Sequence, residues 1–180
     1  MNTAEEIIWQ TKKWVKDVVY GCNFCPFVAN EIRQNSIHYQ VETALDLAGS
    51  LQALLNECKR LDNEKIETTL LIFSNGFKQF DDYLELAALA EKLLKRENYE
   101  GVYQVASFHP QYLFAGTTAN DAANYTNRSI YPMLHLLRED QVEKALAHYP
   151  NPERIPEKNI LFARSKGINY MKTLLENCTR

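Results

Sequence analysis

Side chains that can catalyse reactions or bind ligands are concentrated in one stretch of the chain, from Ser107 to Glu139, with the sequence SFHPQYLFAGTTANDAANYTNRSIYPMLHLLRE. Over about thirty residues this stretch follows neither the helical nor the strand period. Irregular segments of that length are uncommon inside compact domains, and those that are ordered are usually functional. We therefore predict the working site here, formed by His109, Tyr112, Asp121, Asn124, Tyr125, Asn127, Arg128, His135, Arg138 and Glu139.

Two of these residues suit proton transfer and polarisation of a reacting group. His109 directly follows a predicted strand and precedes Pro110, which restricts it to extended geometry and would hold its ring at the mouth of the sheet. His109 is thus a candidate general acid or base, and Tyr112 a candidate for polarising the substrate. The alternative is a structural histidine whose ring nitrogens bond the nearby backbone.

The segment NYTNRS combines two amides with a guanidinium. Asn124, Asn127 and Arg128 are suited to binding a carboxylate or a phosphate. Asparagines also form turns by bonding their own backbone, and an arginine can simply tie a loop to a helix. Both interpretations stay open, and Arg128 is the strongest candidate for contacting an anion.

The segment from Met133 to Tyr149, MLHLLREDQVEKALAHY, has apolar residues at helical spacing and predicts a helix. On that helix His135 and Arg138 would share a face, with Glu139 beside the histidine. His135 is then a second candidate acid or base and Arg138 a second anion-binding residue. A lone histidine among apolar residues is, however, often part of the core.

The chain also contains a C-x-x-C motif, Cys22 and Cys25, followed by Pro26. A thiol at the start of a helix has its thiolate stabilised, so Cys25 is a candidate nucleophile. The motif follows a helix instead of the first strand of a βαβ unit, which argues against a thioredoxin-like redox pair. It also lacks the second ligand pair of a zinc site, so we predict no metal and treat Cys25 as a small, partly buried residue unless a histidine lies within reach.

Periodicity and turn signals predict the elements that position these residues. Strands are expected at IHYQVET, IETTLLIFS and GVYQVASF. A first helix should begin with a capping box at Thr3 and Glu6, a second near Cys25, a third at the N-cap Thr43 with Ala44 on its apolar face, and a fourth at Asp81 or Asp82. A last helix should start at or after Pro156 and include Gly167, and because glycine is unfavourable in a helix interior, two short helices are the alternative to one.

The order of these elements predicts a single α/β domain over residues 1–180. We expect a small, mostly parallel three-stranded β-α-β-α-β sheet, with the most apolar strand in its centre and helices from the two chain ends covering it. Ligands of such sheets bind beyond the carboxyl ends of the strands. The segments SNGFKQF and SFHPQY both leave from those ends, so the predicted site lies at that edge.

Composition limits the partners and the location. Charged residues make up 24% of the chain and the formal net charge is −3, so no overall field attracts nucleic acid or a membrane surface. The beginning of the chain has no secretory pattern, and no apolar run is long enough to span a bilayer, which predicts a cytoplasmic protein. Phosphate-binding loops and dinucleotide fingerprints are absent from the sequence, and we expect no cofactor.

Several motifs together resemble a known bacterial family, domain of unknown function 1415 (DUF1415). They are CPF, ETTLLIF, FDDYLEL, YQVASFHPQYLFAGT, ANYTNRSIYPMLHLLRE and IPEKNI, which span Cys25 to Ile160. The resemblance implies no particular activity. It implies that a family-wide site would use Cys25, His109, Tyr112, Asn124, Asn127, Arg128, His135 and Arg138. The family usually has an apolar residue at the position of Cys22, which further weakens the dithiol interpretation.

The sequence thus favours a small cytoplasmic enzyme acting on a small polar or anionic substrate. Arg128 and Arg138 would bind the anion, and His109 or His135 would act as acid or base. A non-catalytic module that binds a ligand or a protein is the main alternative. In a third interpretation the loop is structural, with its polar groups satisfying its own backbone, and the chain forms a homodimer.

Overall fold

The structure, a computed structural model, describes residues 2–43, 46–147 and 149–180. The described α-helices are α1 (Ala4–Trp14), α2 (Val28–Gln34), α3 (Leu47–Asn63), α4 (Phe80–Arg96), α5 (Glu139–Ala147), α6 (Ile155–Lys166) and α7 (Ile168–Glu176). The described strands are β1 (Ile37–Glu42), β2 (Thr68–Phe73), β3 (Tyr103–Phe108) and β4 (Met133–Arg138). Short 3₁₀ turns cover Ala122–Thr126, Pro152–Arg154 and Asn177–Thr179.

The strands form one mixed sheet in the order β1, β2, β4, β3. β1 and β2 pair in parallel, whereas β4 is antiparallel to both of its neighbours. The expectation of a three-stranded, mostly parallel sheet is therefore wrong in strand number and pairing. The three predicted strands do run in one direction, but β4 is inserted between β2 and β3.

The inserted strand is the first part of the segment from Met133 to Tyr149 that the sequence analysis assigned to a helix, and the second part does form a helix, α5. Met133, Leu134 and Leu136 are all fully buried because both faces of β4 are covered. A short apolar run buried on both faces fits the helical and the strand period equally well, and this one leads directly into α5. His135 and Arg138 therefore lie on a strand and not on a common helix face.

Each face of the sheet is covered by its own group of helices. On one face Leu70, Ile72 and Met133 pack against α1, α6, α7 and the segment that follows α1. On the other face Leu71, Phe73 and Leu134 pack against α3 and α4. Strand side chains alternate between these layers, as the period of two requires. The two chain ends thus cover one face together, as predicted.

The N-terminal helix begins as predicted and ends differently. Thr3 and Glu6 form the capping box, with Glu6 N donating to Thr3 Oγ1 at 3.2 Å and Thr3 N donating to Glu6 Oε2 at 2.8 Å. After Trp14 the helix continues as a π-helical segment, Val15–Tyr20, which the sequence did not indicate. A Cβ at Gly21 would collide with the carbonyl oxygen of Asp17, so the residue that ends this segment must be glycine.

The other helix starts deviate from the predictions by a few residues. The N-cap of α3 is Asp46 and not Thr43, because the carboxylate of Asp46 accepts from Gly49 N at 2.8 Å. Ala44 lies outside the described residues. α4 begins at Phe80 with Gln79 as its N-cap. The last helix is divided at Gly167, which adopts a positive φ of 81°, and α6 and α7 are the result.

A buried tyrosine bonds the end of the β3–β4 ladder, where Phe108 pairs with Met133. Phe108 N donates to the hydroxyl of Tyr83 at 3.0 Å, and that hydroxyl donates to Met133 O at 2.6 Å. Tyr83 is fully buried, and burial raises the pKa of its phenol well above the ordinary value. This hydroxyl therefore links α4 to the last residue pair of the two strands.

We expect Tyr83→Phe to lower the free energy of unfolding by about 1–3 kcal/mol, because it removes both hydrogen bonds that the buried hydroxyl makes to β3 and β4. Urea denaturation would measure the change. Tyr99→Phe is the matched control, since its hydroxyl bonds the exposed carboxylate of Asp62 at 2.8 Å. Its loss should cost well under about 1 kcal/mol. Equal losses in the two variants would contradict the bridging role.

Candidate functional site

His109 lies at the carboxyl edge of the sheet, as predicted, and both of its ring nitrogens are engaged with backbone. Nε2 donates to Phe77 O at 2.9 Å, and Nδ1 accepts from Gln111 N at 3.0 Å. The residue is fully buried, between the rings of Phe80 and Tyr83. Burial lowers the pKa of His109, so the ring is neutral and fastens two loops together.

The two asparagines hold the loop at residues 109–132 in shape. Asn124 is fully buried, and its Oδ1 accepts from Phe114 N at 3.0 Å and Thr117 Oγ1 at 2.9 Å. Its Nδ2 donates to Thr118 O at 2.8 Å. Asn127 fastens the loop to the sheet, with Nδ2 donating to Ser107 O at 3.2 Å. These amides satisfy backbone groups that the irregular segment would otherwise leave unpaired.

Arg128 is engaged in the same way. Its Nε donates to Tyr112 O at 3.2 Å and its Nη2 to Ala119 O at 3.1 Å, while the guanidinium stacks over the ring of Tyr125. Tyr112 packs its ring against Phe80, with 5.3 Å between ring centroids. Its hydroxyl has no hydrogen-bond partner among the described residues.

We expect Asn124→Leu to lower the free energy of unfolding by at least about 2 kcal/mol, because it removes three hydrogen bonds of a buried side chain. The control is Asn120→Ala in the same loop, whose side chain is exposed and which should change stability by less than about 0.5 kcal/mol. Thermal and urea denaturation would compare the two. If Asn124→Leu left the free energy of unfolding unchanged, the structural role would be contradicted and Asn124 would again be a candidate for binding a ligand.

A cavity lies on the face of the sheet and not at its carboxyl edge. It has a volume of about 660 Å³ and is open on one side. Its floor consists of side chains from all four strands, and its walls come from the end of α1, the π-helical segment, the start of α2, and α5. The volume is in the range of cavities that hold drug-sized molecules.

The lining of this cavity is largely apolar. Trp14 and Val19 form one wall, and Leu70 and Phe108 form part of the floor. The Trp14 ring meets the Phe108 ring edge-on at 5.1 Å between centroids, and its indole Nε1 donates to Arg128 O at 3.2 Å. The loop therefore positions a cavity wall, although its own polar groups do not enter the cavity.

His135 lies in the floor of the cavity, and its hydrogen bonds define its tautomer. Thr68 Oγ1 is 2.5 Å from Leu136 O, an acceptor, so the hydroxyl proton must lie between them. The same oxygen is 2.7 Å from His135 Nε2. Because the hydroxyl has only one proton, Nε2 must carry the hydrogen of this second bond. Nδ1 is then unprotonated and has no hydrogen-bond partner among the described residues.

The environment of His135 keeps the ring neutral. The residue retains partial exposure, since it lines an open cavity, yet it lies deep beneath the helical layer. Burial lowers the pKa of His135 to about 4. The cavity floor therefore presents an uncharged hydrogen-bond acceptor to an incoming molecule.

Between about pH 6.5 and about pH 4, the unfolded chain binds a proton at His135 that the folded chain does not. The stabilisation is complete above this window and is lost as the pH falls through it, by up to about 1.4 kcal/mol per pH unit. We expect the stability advantage of the wild type over His135→Gln to shrink from pH 7 to pH 4 in urea denaturation. A constant difference across this range would contradict the assignment.

Arg138 lies at the rim of the cavity and is held by backbone groups. Its Nη2 donates to the carbonyl oxygens of Leu61 and Ile66, the second at 3.0 Å. Its Nη1 donates to Tyr103 Oη at 3.2 Å, and Nε lies 3.7 Å from a carboxylate oxygen of Glu67. These contacts already engage the guanidinium of Arg138. The binding of an anion by this residue stays a prediction.

Cys25 lines the same cavity as His135, at the turn that precedes α2. Burial raises the pKa of its thiol, and hydrogen bonds from the backbone of Phe27 and Val28 only partly oppose this effect. Cys22 is buried in the adjoining core, and burial raises the pKa of its thiol as well. Both cysteines are free thiols, and neither environment favours a thiolate.

The structure thus divides the predicted residues into two sets. His109, Asn124, Asn127 and Arg128 lie together and stabilise the loop. Cys25 and His135 line the cavity, with Arg138 at its rim. Sequence analysis missed Thr68, which orients His135, and the wall residue Trp14. No local spacing could have indicated them, because the cavity is formed by elements that are far apart in the sequence.

No described helix is long and apolar enough to cross a membrane. Within residues 2–43, 46–147 and 149–180, no three His, Cys, Asp or Glu side chains are placed to hold a metal ion together.

Comparison with known proteins agrees with the resemblance found in the sequence. Residues 6–173 match the family described as Protein of unknown function (DUF1415). No curated protein and no solved structure matches the chain. Because the match covers nearly all of the 180 residues, the chain belongs to the DUF1415 family.

Proposed function

We propose that this protein binds a small molecule with an apolar body and a hydrogen-bond-donating head in the cavity on the face of the sheet. The observation that carries the proposal is the unpartnered Nδ1 of His135 in the floor of a largely apolar cavity. Ligand sites of this kind combine apolar walls with a few well-placed polar groups that fix the orientation of the ligand.

The walls favour an apolar body for the ligand. Trp14, Phe108 and Leu70 offer aromatic and aliphatic surface, and burying apolar area contributes about 25 cal/mol per Å². The formal charges of the lining cancel, since it contains two acidic residues, Glu31 and Glu67, and two basic residues, Arg138 and Lys144. A neutral molecule therefore fits better than the anion expected from the sequence, whose proposed arginines both bond backbone carbonyls.

The head group follows from the state of His135. A neutral ring whose Nε2 donates to Thr68 offers only the lone pair of Nδ1. That lone pair accepts from a hydroxyl, an amide or a protonated acid. A ligand that supplies such a donor would gain a hydrogen bond shielded from water, and an otherwise identical ligand without it would not.

Catalysis on the bound molecule is the second candidate, favoured by the presence of Cys25 and His135 in one cavity. Cys25 would be the nucleophile and His135 the base. The low pKa of His135 and the raised pKa of the Cys25 thiol work against this role in the empty cavity. General bases act best with a pKa near the working pH, so binding is the better-supported function.

A matched pair of fluorescent probes tests the proposal. We expect wild-type protein to bind 2-naphthol about three- to tenfold more tightly than 2-methoxynaphthalene, because only the first donates to Nδ1. In His135→Phe the two affinities should become equal. Fluorescence titration at pH 7.5 gives both dissociation constants.

Ala106→Trp serves as the control, since it adds volume to the cavity floor without changing His135, and it should weaken both probes together. Binding of neither probe to folded wild-type protein would contradict the proposal. A preference for 2-naphthol that persists in His135→Phe would contradict the role of Nδ1.

A further inference from the structure

The cavity floor extends to a sheet edge that no described strand covers. β3 is the last strand of the sheet, and its Gln104, Ala106 and Phe108 side chains line the cavity. Gln104 is exposed and Ala106 is half-buried, so the cavity is open close to this edge.

The backbone groups at this edge can be assigned from the ladder. Glu139 N donates to Val102 O at 3.0 Å, so Val102 and Glu139 form a hydrogen-bonded pair. In an antiparallel ladder, hydrogen-bonded pairs alternate with non-hydrogen-bonded pairs. Counting on from Val102 in steps of two, the backbone groups of residues 104, 106 and 108 point towards β4. The N–H and C=O of residues 103, 105 and 107 then point away from the sheet.

Some of these outward groups are satisfied by neighbouring turns. Tyr103 N donates to Tyr99 O at 3.1 Å, and Ser107 O accepts from Asn127 Nδ2 at 3.2 Å. Among the described residues, Val105 N and O, Tyr103 O and Ser107 N have no such partner. The free section is therefore centred on Val105, and it presents both a donor and an acceptor.

β3 lacks the residues that usually prevent another strand from pairing with an exposed sheet edge. Exposed edges are usually protected by charged residues, proline or bulges. Tyr103–Phe108 contains no charged residue and no proline, whereas the other edge strand, β1, contains His38 and Glu42. An unprotected edge beside an apolar cavity is the arrangement used to bind extended peptides by strand addition.

We propose that an extended peptide segment of another protein adds to β3 as a fifth strand and inserts into the cavity an aromatic side chain that carries a hydrogen-bond donor, Tyr or Trp. The peptide residue opposite Val105 exchanges two backbone hydrogen bonds with it. The residues on either side of that one then point to the cavity face, beside Gln104 and Ala106. The inference rests on the proposed function of the cavity and names a peptide side chain as its occupant.

The test uses a fluorescein-labelled library of acetylated hexapeptide amides that carry Tyr or Trp at two positions separated by one residue, because each combines an apolar ring with a hydrogen-bond donor. We expect wild-type protein to bind members of this library in fluorescence polarisation. Val105→Pro should weaken the binding at least about tenfold, because it removes the outward N–H while leaving the bonds to β4 intact. Circular dichroism establishes whether this variant is folded.

N-methylation of the tightest peptide gives a test that does not depend on folding of a variant. Methylation of the amide that faces Val105 should weaken binding about tenfold, and methylation of the next amide along, which faces solvent, should be tolerated. This period of two is the signature of strand addition. Equal effects at every position, or equal binding by folded Val105→Pro and wild type, would overturn the inference.

The remaining outcomes are also decisive. If no library member binds while 2-naphthol still does, the peptide inference fails and the proposed function stands. If neither binds, both fail. A wild-type dimer in sedimentation velocity that Val105→Pro dissociates would show that the edge pairs with a second copy of the chain, which also overturns the inference.

Discussion

The insertion of β4 between β2 and β3 is the constraint on which the rest of the structure depends. The chain leaves β3 at the carboxyl edge and has to return to that same edge in order to run back antiparallel. Residues 109–132 make this return with only one 3₁₀ turn of regular structure. Their backbone groups must therefore find partners among side chains, because unpaired buried groups would cost several kcal/mol in total.

This requirement explains the unusual composition of the loop. The imidazole of His109 bonds Phe77 O, and the amide of Asn124 bonds three groups of its own loop. Arg128 bonds two further carbonyls. Asp121 caps the 3₁₀ turn and pairs with Arg164 of α6, whose hydrogen bond lowers the pKa of Asp121 to about 2. The residues whose types suggest a binding site in the sequence are therefore the ones that hold the loop in shape.

The inserted strand also forms part of the cavity floor, and the sequence did not indicate this cavity. It carries His135 into the middle of the sheet, beneath the helical layer, where Thr68 of the neighbouring strand fixes its tautomer. The π-helical segment and α5 then leave an open cavity above it. π-helical segments are frequent at functional sites, and here Val15 and Val19 line the cavity. The side chains of His109, Asn124, Asn127 and Arg128, which hold the loop, are thus not among those that line the cavity.

Sequence patterns predicted the local features and missed those that depend on distant packing. The capping box at Thr3 and the apolar centre of β2, Leu70 to Phe73, each depend on neighbouring residues, and each was predicted. The division at Gly167 was one of two alternatives that the sequence left open. The strand at Met133–Arg138 was not, since burial on both faces hides the period of two. The roles of Asn124 and Arg128 were ambiguous, because an amide or a guanidinium donates to a backbone carbonyl oxygen with the same geometry as it donates to a ligand oxygen.

The central claim is that the cavity above His135, and not the loop around His109, receives the ligand. Nitrogen-15 NMR of histidine-labelled protein tests it most directly, since ring nitrogens report both tautomer and hydrogen bonding. We predict that both rings are protonated at Nε2, and that adding 2-naphthol shifts Nδ1 of His135 while His109 is unchanged. A shift confined to His109, or an Nδ1 of His135 that carries the proton in the absence of ligand, would contradict the account.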